Sequence, residues 1–209
     1  MMEHLAAAAI TLFARFVTAV RGEWRGTRPD ERPRVYYGNH RSHGDFVLVW
    51  TVLPGRIRRI TRPVAGADYW LKDGVRRFIG KSVFNSVLIE RDPERRTEDP
   101  VTQMATALDG GSSLILFPEG TRNLSGEPLL PFKTGLYHLG RLRPHVELVP
   151  VWIANLNRVM PKGELVPVPL LCTVTFGAPI HVGADEEKDA FLVRARTALL
   201  DLAPKALAA

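Results

Sequence analysis

Cysteine is nearly absent from this chain of 209 residues, in which Cys172 is the single thiol. One thiol cannot close an internal disulfide or build a cysteine-rich metal site, and its isolation favours a reducing compartment. Its place in the apolar run "LLCTVTFG" is typical of a small core residue. The sequence therefore excludes a disulfide scaffold and a cysteine-based zinc finger.

Long hydrophobic runs are also missing. The N-terminal stretch "MMEHLAAAAITLFARFVTAVRG" is too short for a confident membrane span and carries Arg15 within its apolar part. Glu3 and His4 stand where a signal peptide would have basic residues, so no signal peptide is expected. With 45% hydrophobic and 24% charged residues and no internal repeat, the composition is typical of one globular domain.

The N-terminal stretch is predicted to form an amphipathic helix over residues 1–22, ahead of a single domain at 23–209. At about 100° per residue, its large apolar residues share one face: Leu5, Leu12, Phe13, Phe16 and Val20. The opposite face is polar: His4, Thr11, Arg15 and Thr18. Two placements remain open. The helix could dock on the core, or it could lie in a bilayer interface with Arg15 and Arg21 near lipid phosphates.

Positive charge is concentrated in one interval. The chain has 28 basic and 22 acidic residues, a formal net charge of +6. The whole excess lies between Arg56 and Lys81, where two acidic residues accompany eight basic ones: Arg56, Arg58, Arg59, Arg62, Lys72, Arg76, Arg77 and Lys81. An anionic surface or ligand is the expected partner of this basic segment. The alternative is a solvated face that keeps the protein soluble.

Short apolar runs alternate with helical patterns after a polar linker at 22–33. Strands are predicted at 35–39, 62–66, 86–91, 113–119, 148–155 and 170–177. Helices are predicted at 45–53, 67–80, 98–110, 133–143 and 186–203. This alternation predicts an α/β fold with a largely parallel mixed sheet flanked by helices. The ligand site is then expected beyond the carboxyl ends of the strands.

The connection "NHRSHGD" joins a predicted strand to a predicted helix and carries two histidines, a serine and an aspartate. Asp45 could accept a hydrogen bond from one nitrogen of His40 and leave the other nitrogen as a base, if Asp45 lies in the first helical turn. A serine triad is disfavoured because Ser42, His43 and Asp45 are too close along the chain. A metal site at His40, His43 and Asp45 matches no zinc spacing. Purely capping roles remain possible.

The segment "LILFPEGTRN" ends a predicted strand in residues suited to an anion. Gly120 permits close backbone approach, Thr121 offers a hydroxyl and Arg122 a guanidinium fork for phosphate. Arg91, at the end of "SVLIER", supplies a second guanidinium. A plain turn would account equally well for Gly120, and an exposed strand-end charge for Arg91.

Four ordered blocks resemble the 1-acyl-glycerol-3-phosphate acyltransferase family: "NHRSHGD", "LIER", "FPEGTR" and "LVPVWI", between Val35 and Ile153. The resemblance implies a glycerolipid-acyltransferase-like fold and an O-acyltransferase. His40 would be the general base and Asp45 its orienting partner. Five residues would hold the phosphate-bearing acceptor: Arg91, Glu119, Gly120, Thr121 and Arg122.

The resemblance also implies the partners. The enzyme would need no cofactor and no metal, would take acyl-CoA or acyl-ACP as co-substrate, and would acylate a lysophospholipid, most simply 1-acyl-glycerol-3-phosphate. The basic segment and the N-terminal helix predict peripheral attachment to an anionic membrane on its cytoplasmic side. No nucleic-acid partner is expected, because helix-turn-helix, zinc-finger and aromatic RNA motifs are missing.

Two features of this sequence leave the acceptor open. Asn85 stands where the family usually has glycine, and "RPVAGADYWLKDGVRRFIG" replaces the family's lysine-and-proline pattern. Other lyso-lipids, such as a lyso-amino-acid lipid, are therefore alternative acceptors. From other functional classes, a non-catalytic module that binds anionic membranes and a metal-dependent hydrolase remain alternatives.

Overall fold

The computed structural model describes residues 2–155 and 171–204. Its strands are β1 (Arg21–Trp24), β2 (Arg34–Gly38), β3 (Thr61–Gly66), β4 (Val87–Ile89), β5 (Ser113–Leu116), β6 (Glu147–Ala154) and β7 (Thr173–Phe176). Its α-helices are α1 (Met2–Thr18), α2 (Asp45–Val52), α3 (Gly55–Ile60), α4 (Ala67–Trp70), α5 (Gly74–Arg77), α6 (Pro100–Asp109), α7 (Gly135–Leu142) and α8 (Lys188–Leu200). A π-helix covers Phe78–Val83.

The strands form one sheet in the order β1-β7-β6-β2-β5-β3-β4. Neighbouring strands are parallel except for the antiparallel pair of β6 and β7. The predicted fold class, a largely parallel mixed sheet flanked by helices and preceded by an N-terminal helix, is confirmed. The predicted strand at 170–177 begins with one residue that lies outside the described ranges.

Apolar side chains cover both faces of the sheet, as expected when helices pack on each side. Successive residues of β2 alternate between the faces. Val35 and Tyr37 face the layer that includes α6, α7 and α8. Tyr36 faces the opposite layer, which includes α1 and α2. Because both faces are buried, β2 reads as a continuous apolar run rather than as an alternating one.

Strand β1 was not predicted, since Arg21–Trp24 spans the end of the predicted N-terminal helix and the start of the segment interpreted as a linker. Its side chains are mostly exposed and carry little apolar character. The strand forms by parallel backbone pairing with β7, and the ring of Trp24 stacks on that of Phe176 with centroids 4.0 Å apart. Tertiary pairing therefore outweighs the weak local signal. The strand straddles the boundary predicted between residues 22 and 23, and the domain division stays a prediction.

Helix α1 docks on the core through the face that was predicted to be polar. Thr11, Ala14 and Thr18 are buried, and α1 packs against α2 and the π-helix. The threonine hydroxyls are satisfied by backbone carbonyls one turn earlier, at 2.8 Å to Ala7 and 2.6 Å to Ala14. Burial of these small residues brings the helix close to the core. No helix in the described ranges is both long and apolar enough to cross a bilayer.

The large apolar residues of α1 remain on the outside. The exposed fractions are 71% for Leu12, 67% for Phe13 and 85% for Phe16, and Met2 and Leu5 are exposed as well. We call these five residues the apolar face of α1. Side chains of this kind on one helix face are unusual for a surface that meets only water.

The single helix predicted over 67–80 is instead divided into α4, α5 and the π-helix. Asp73 interrupts it, because its carboxylate accepts a hydrogen bond of 2.9 Å from the backbone N–H of Arg76 and so caps α5. Trp70 packs against Gly80, where a Cβ atom would lie 2.9 Å from its ring. Helix α3 was also not predicted. Its Arg58 donates hydrogen bonds to the carbonyls of Thr51 and Leu53 and to the hydroxyl of Thr11.

Candidate active site

The candidate site lies where the parallel strands β2 and β5 end side by side. The loop after β2 carries His40, and the loop after β5 carries Glu119 to Arg122. Because the carboxyl ends of neighbouring parallel strands meet at the same sheet edge, these two loops are brought into contact. The N–H of Asn123 donates a 2.6 Å hydrogen bond to the carbonyl of His40.

His40 and Asp45 form the predicted pair. Nδ1 of His40 lies 2.9 Å from Oδ2 of Asp45, whose side chain is 1% exposed. The same oxygen accepts hydrogen bonds from the backbone N–H groups of Arg41 at 2.7 Å and Ser42 at 2.8 Å. A carboxylate held in this way favours the tautomer with the proton on Nδ1. Nε2 has no partner among the described residues and is left as a base.

The serine and metal alternatives gain no support from the geometry. The hydroxyl of Ser42 accepts a 3.3 Å hydrogen bond from the N–H of Gly44, and bonds to neither histidine. Across residues 2–155 and 171–204, no three histidine, cysteine or acidic side chains gather as a metal site would require.

Glu119 is buried between the His40 loop and the segment that carries Leu130. Its side chain is buried, with the residue 2% exposed, and both carboxylate oxygens are taken by backbone groups. Oε1 accepts a 2.7 Å hydrogen bond from the N–H of His40, and Oε2 a 2.8 Å hydrogen bond from the N–H of Leu130. Burial raises the pKa of the Glu119 carboxyl, while these two hydrogen bonds oppose the rise. Glu119 therefore holds the His40 loop, and its contact with the acceptor stays a prediction.

Two asparagines that the sequence argument did not assign to the support of the site complete it. Asn39 pairs with the backbone of β6, donating to the carbonyl of Ile153 at 3.0 Å and accepting from its N–H at 2.7 Å. Asn123 is 4% exposed, and its side chain amide donates to the carbonyl of Glu127 at 2.8 Å. Their positions directly before His40 and after Arg122 were the only sequence signal available.

Phe117 supports the imidazole from one side. Its ring is nearly parallel to that of His40, with an interplanar angle of 14° and centroids 4.4 Å apart. The contact therefore helps to orient the imidazole of His40.

Gly120 and Lys133 are in close contact beside the site. Gly120 has φ of +69°, a conformation that favours glycine. A Cβ atom there would lie 2.6 Å from Cε of Lys133, so the lysine side chain crosses this glycine. This crossing places Lys133 next to the "EGTR" turn.

Thr121 and Arg122 follow on the same turn. Thr121 is exposed and Arg122 is half-buried. Neither side chain makes a hydrogen bond or ion pair with any residue that the structure describes, which leaves both groups available for a ligand. A partly buried guanidinium of this kind is suited to a phosphate.

Arg91 shares this sheet edge but lies farther from His40. It follows β4, three strand positions from β2, which corresponds to about 14 Å between strand axes. Its side chain reaches back over β3, since a Cβ atom on Gly66 would lie 2.6 Å from Nε of Arg91. Arg91 also lies 3.9 Å from the carboxylate of Asp68, with both side chains exposed. The structure does not bring Arg91 into contact with the His40 loop.

Comparison with known proteins finds similarity to acyltransferases in each case. A family model described as "Acyltransferase" matches residues 20–154. Human 1-acyl-sn-glycerol-3-phosphate acyltransferase alpha is 33% identical over 165 residues, covering 73% of this chain and 52% of the relative. The 1-acyl-sn-glycerol-3-phosphate acyltransferase of Haemophilus influenzae is 31% identical over 137 residues, covering 59% of this chain and 51% of the relative. The chain thus spans about half the length of these curated relatives.

A solved structure shares the fold. The crystal structure of the 1-acyl-sn-glycerophosphate (LPA) acyltransferase from Thermotoga maritima superposes with a TM-score of 0.71 at 20% identity. The superposition covers 95% of this chain and 79% of the other.

Proposed function

Because the chain belongs to the acyltransferase family, as its four sequence blocks indicated, we propose that it transfers a fatty acyl group from a thioester carrier to the free hydroxyl of a lysophospholipid. The most direct acceptor is 1-acyl-glycerol-3-phosphate, which would give phosphatidate. The observation that carries the proposal is the pair of His40 and buried Asp45 at the sheet edge beside Arg122, with neither Nε2 nor the Arg122 guanidinium bonded to any residue of 2–155 or 171–204.

His40 would act as the general base. Nε2 takes the proton of the acceptor hydroxyl while the hydroxyl oxygen attacks the carbonyl carbon of the thioester. The new C–O bond forms, the C–S bond breaks, and the thiolate of the carrier leaves and recovers a proton from the imidazolium. Asp45 stabilises the imidazolium through Nδ1 without being protonated itself. Because a thioester is already activated, this direct transfer needs no acyl-enzyme.

Arg122 would hold the phosphate of the acceptor, with Gly120 allowing close backbone approach and Thr121 adding a hydroxyl. Lys133 lies beside this turn and would add positive charge. The carrier could be acyl-CoA or acyl-ACP, and no resident cofactor is needed for the step.

The protein would work on a membrane surface, at its cytoplasmic side. Two features support this. The apolar face of α1 is exposed, and α1 packs against the π-helix at the end of the basic segment. Apolar side chains that insert below the lipid headgroups and neighbouring cations that contact anionic headgroups strengthen each other. This arrangement would hold the enzyme on the bilayer that supplies its amphiphilic acceptor.

The purified protein tests the proposal directly. Radiolabelled oleoyl-CoA and oleoyl-ACP are each combined with lysophosphatidate, lysophosphatidylcholine, a lyso-amino-acid lipid and glycerol 3-phosphate, and the lipid products are separated. Acylation of lysophosphatidate to phosphatidate supports the proposal. Preferred acylation of the lyso-amino-acid lipid would identify that lipid, in place of 1-acyl-glycerol-3-phosphate, as the acceptor. Binding to anionic vesicles with no acylation of any acceptor would support the non-catalytic membrane module instead.

A further inference from the structure

A column of three side chains connects the His40 loop with the basic segment. His43, three residues after His40, stacks on Tyr69 with ring centroids 5.4 Å apart and an interplanar angle of 14°. The guanidinium carbon of Arg76 lies 4.5 Å from the centre of the same Tyr69 ring. Tyr69 comes from α4 and Arg76 from α5, so the column joins three separate elements.

Neither the fold nor the proton transfer explains this column. Tyr69 is 38% exposed, so its ring contributes little to the core. Trp70, the next residue, makes the core contacts of this helix through Phe46 and Phe84. A cation over an exposed ring contributes little to folding. The column keeps Arg76, an arginine of the basic segment, beside the His40 loop.

Arg76 and Arg122 both adjoin the His40 loop. Arg76 does so through Tyr69, which stacks on His43, and Arg122 through the hydrogen bond from the N–H of Asn123 to the carbonyl of His40. Burial lowers the pKa of His43, and the charges of Arg122 and Arg76 lower it further. The two arginines come from different elements, Arg76 from α5 and Arg122 from the turn after β5. Arg76 is restrained by its contact with Asp73, 3.2 Å from Nε to Oδ2, and its remaining N–H groups make no hydrogen bond to side chains of the described residues. The Arg122 guanidinium makes no hydrogen bond or ion pair with any of the described residues.

We propose that Arg76, held over the Tyr69 ring on which His43 stacks, is a second headgroup contact that determines specificity for a phosphate-bearing acceptor. It would bind the phosphate monoester together with Arg122, because two guanidinium groups match the charge of a dianion. The inference rests on the proposed function, and it adds Arg76 to the acceptor contacts predicted from the sequence.

Steady-state kinetics of Arg76→Gln test this role, with Arg77→Gln as the matched control. Arg77 lies next to Arg76 on α5, is exposed, and loses the same charge on substitution. The assay uses lysophosphatidate in micelles of an uncharged detergent, so that membrane attachment does not enter, and the concentration of each substrate is varied in turn. We expect the KM for lysophosphatidate to rise about tenfold in Arg76→Gln, as for the loss of one charge-assisted hydrogen bond, with kcat within twofold of the wild type. Arg77→Gln should leave both constants within twofold.

A second pair of variants distinguishes the effect of the Tyr69 ring, which positions Arg76, from the effect of the Arg76 charge. Tyr69→Phe keeps the ring and should match the wild type, whereas Tyr69→Ala should raise the KM for lysophosphatidate as Arg76→Gln does. Three outcomes would overturn the inference: equal behaviour of Arg76→Gln and Arg77→Gln, a rise only in the KM for acyl-CoA, or a loss of kcat with unchanged KM. Absence of turnover in the wild type would be a failure of the proposed function and is a separate result.

Discussion

Membrane attachment through α1 can be tested by replacing two of its exposed side chains. The double variant Phe13→Ser and Phe16→Ser removes the two aromatic rings from the apolar face, which are 67% and 85% exposed in the folded protein. Transfer of a whole phenylalanine side chain out of water contributes about 2 kcal/mol, so the exposed fractions of the two rings together correspond to about 3 kcal/mol. Since about 1.4 kcal/mol is a tenfold change, the partition coefficient onto vesicles should fall about 150-fold.

The assay is co-flotation with vesicles of phosphatidylcholine and phosphatidylglycerol, at low and at high salt. Val193→Ser is the matched control, because Val193 is 66% exposed on α8, against the opposite face of the sheet. We expect the control to bind like the wild type and the thermal midpoint of all three proteins to agree closely, because exposed positions change stability little. Partition of the double variant within threefold of the wild type would refute the argument that α1 inserts.

Three further predictions concern the support of the site and the core. Glu119→Gln should reduce the free energy of unfolding by about 1–3 kcal/mol, because an amide N–H₂ replaces one acceptor facing a backbone donor. Burial raises the pKa of Glu119 in the folded state above its value in the unfolded chain. The contribution of the Glu119 carboxyl to stability is therefore present at low pH and declines as pH rises through the folded-state pKa. Urea titrations at several pH values should show this decline in the wild type and not in the variant. Gly120→Ala should destabilise the protein by about 1–2 kcal/mol and slow acyl transfer, since φ is +69° and the new methyl group would contact Lys133; an unchanged urea midpoint would contradict this. Burial raises the pKa of the Cys172 thiol to about 11, so Ellman's reagent at pH 8 should label the folded protein at least about 100-fold more slowly than the unfolded chain, whereas equal rates would place the thiol at the surface.

The alternation of elements was predictable because most strands are buried on both faces. Such strands are short apolar runs that contrast with the helices between them, as β2 and β5 illustrate. Strand β1 had no such contrast, because its pairing with β7 depends on residues about 150 positions later in the chain. Its existence follows from the completed sheet and not from its own composition.

Helix α1 shows a second limit of the sequence pattern. Periodicity correctly divided the helix into two faces, but it did not reveal which face meets the core. Thr11 and Thr18 can be buried because their hydroxyls bond to the helix backbone, and small residues allow close packing. The large apolar residues were left outside, where the pattern alone would have placed the polar ones.

Within the site, the His40 and Asp45 contact could be anticipated from spacing and from the start of α2 at Asp45. The role of Glu119 could not, because only the folded backbone places the N–H groups of His40 and Leu130 on either side of its carboxylate. The same applies to Arg76, whose position over Tyr69 depends on the break between α4 and α5.

The rate of phosphatidate formation by His40→Ala, measured at saturating lysophosphatidate and acyl-CoA, tests the central claim most directly. If Nε2 is the base that takes the proton of the acceptor, kcat should fall by about 10² to 10⁴, while the urea midpoint and vesicle binding stay close to those of the wild type. A folded His40→Ala variant that keeps more than about a tenth of the wild-type kcat would contradict the claim, because that loss is smaller than a general base contributes.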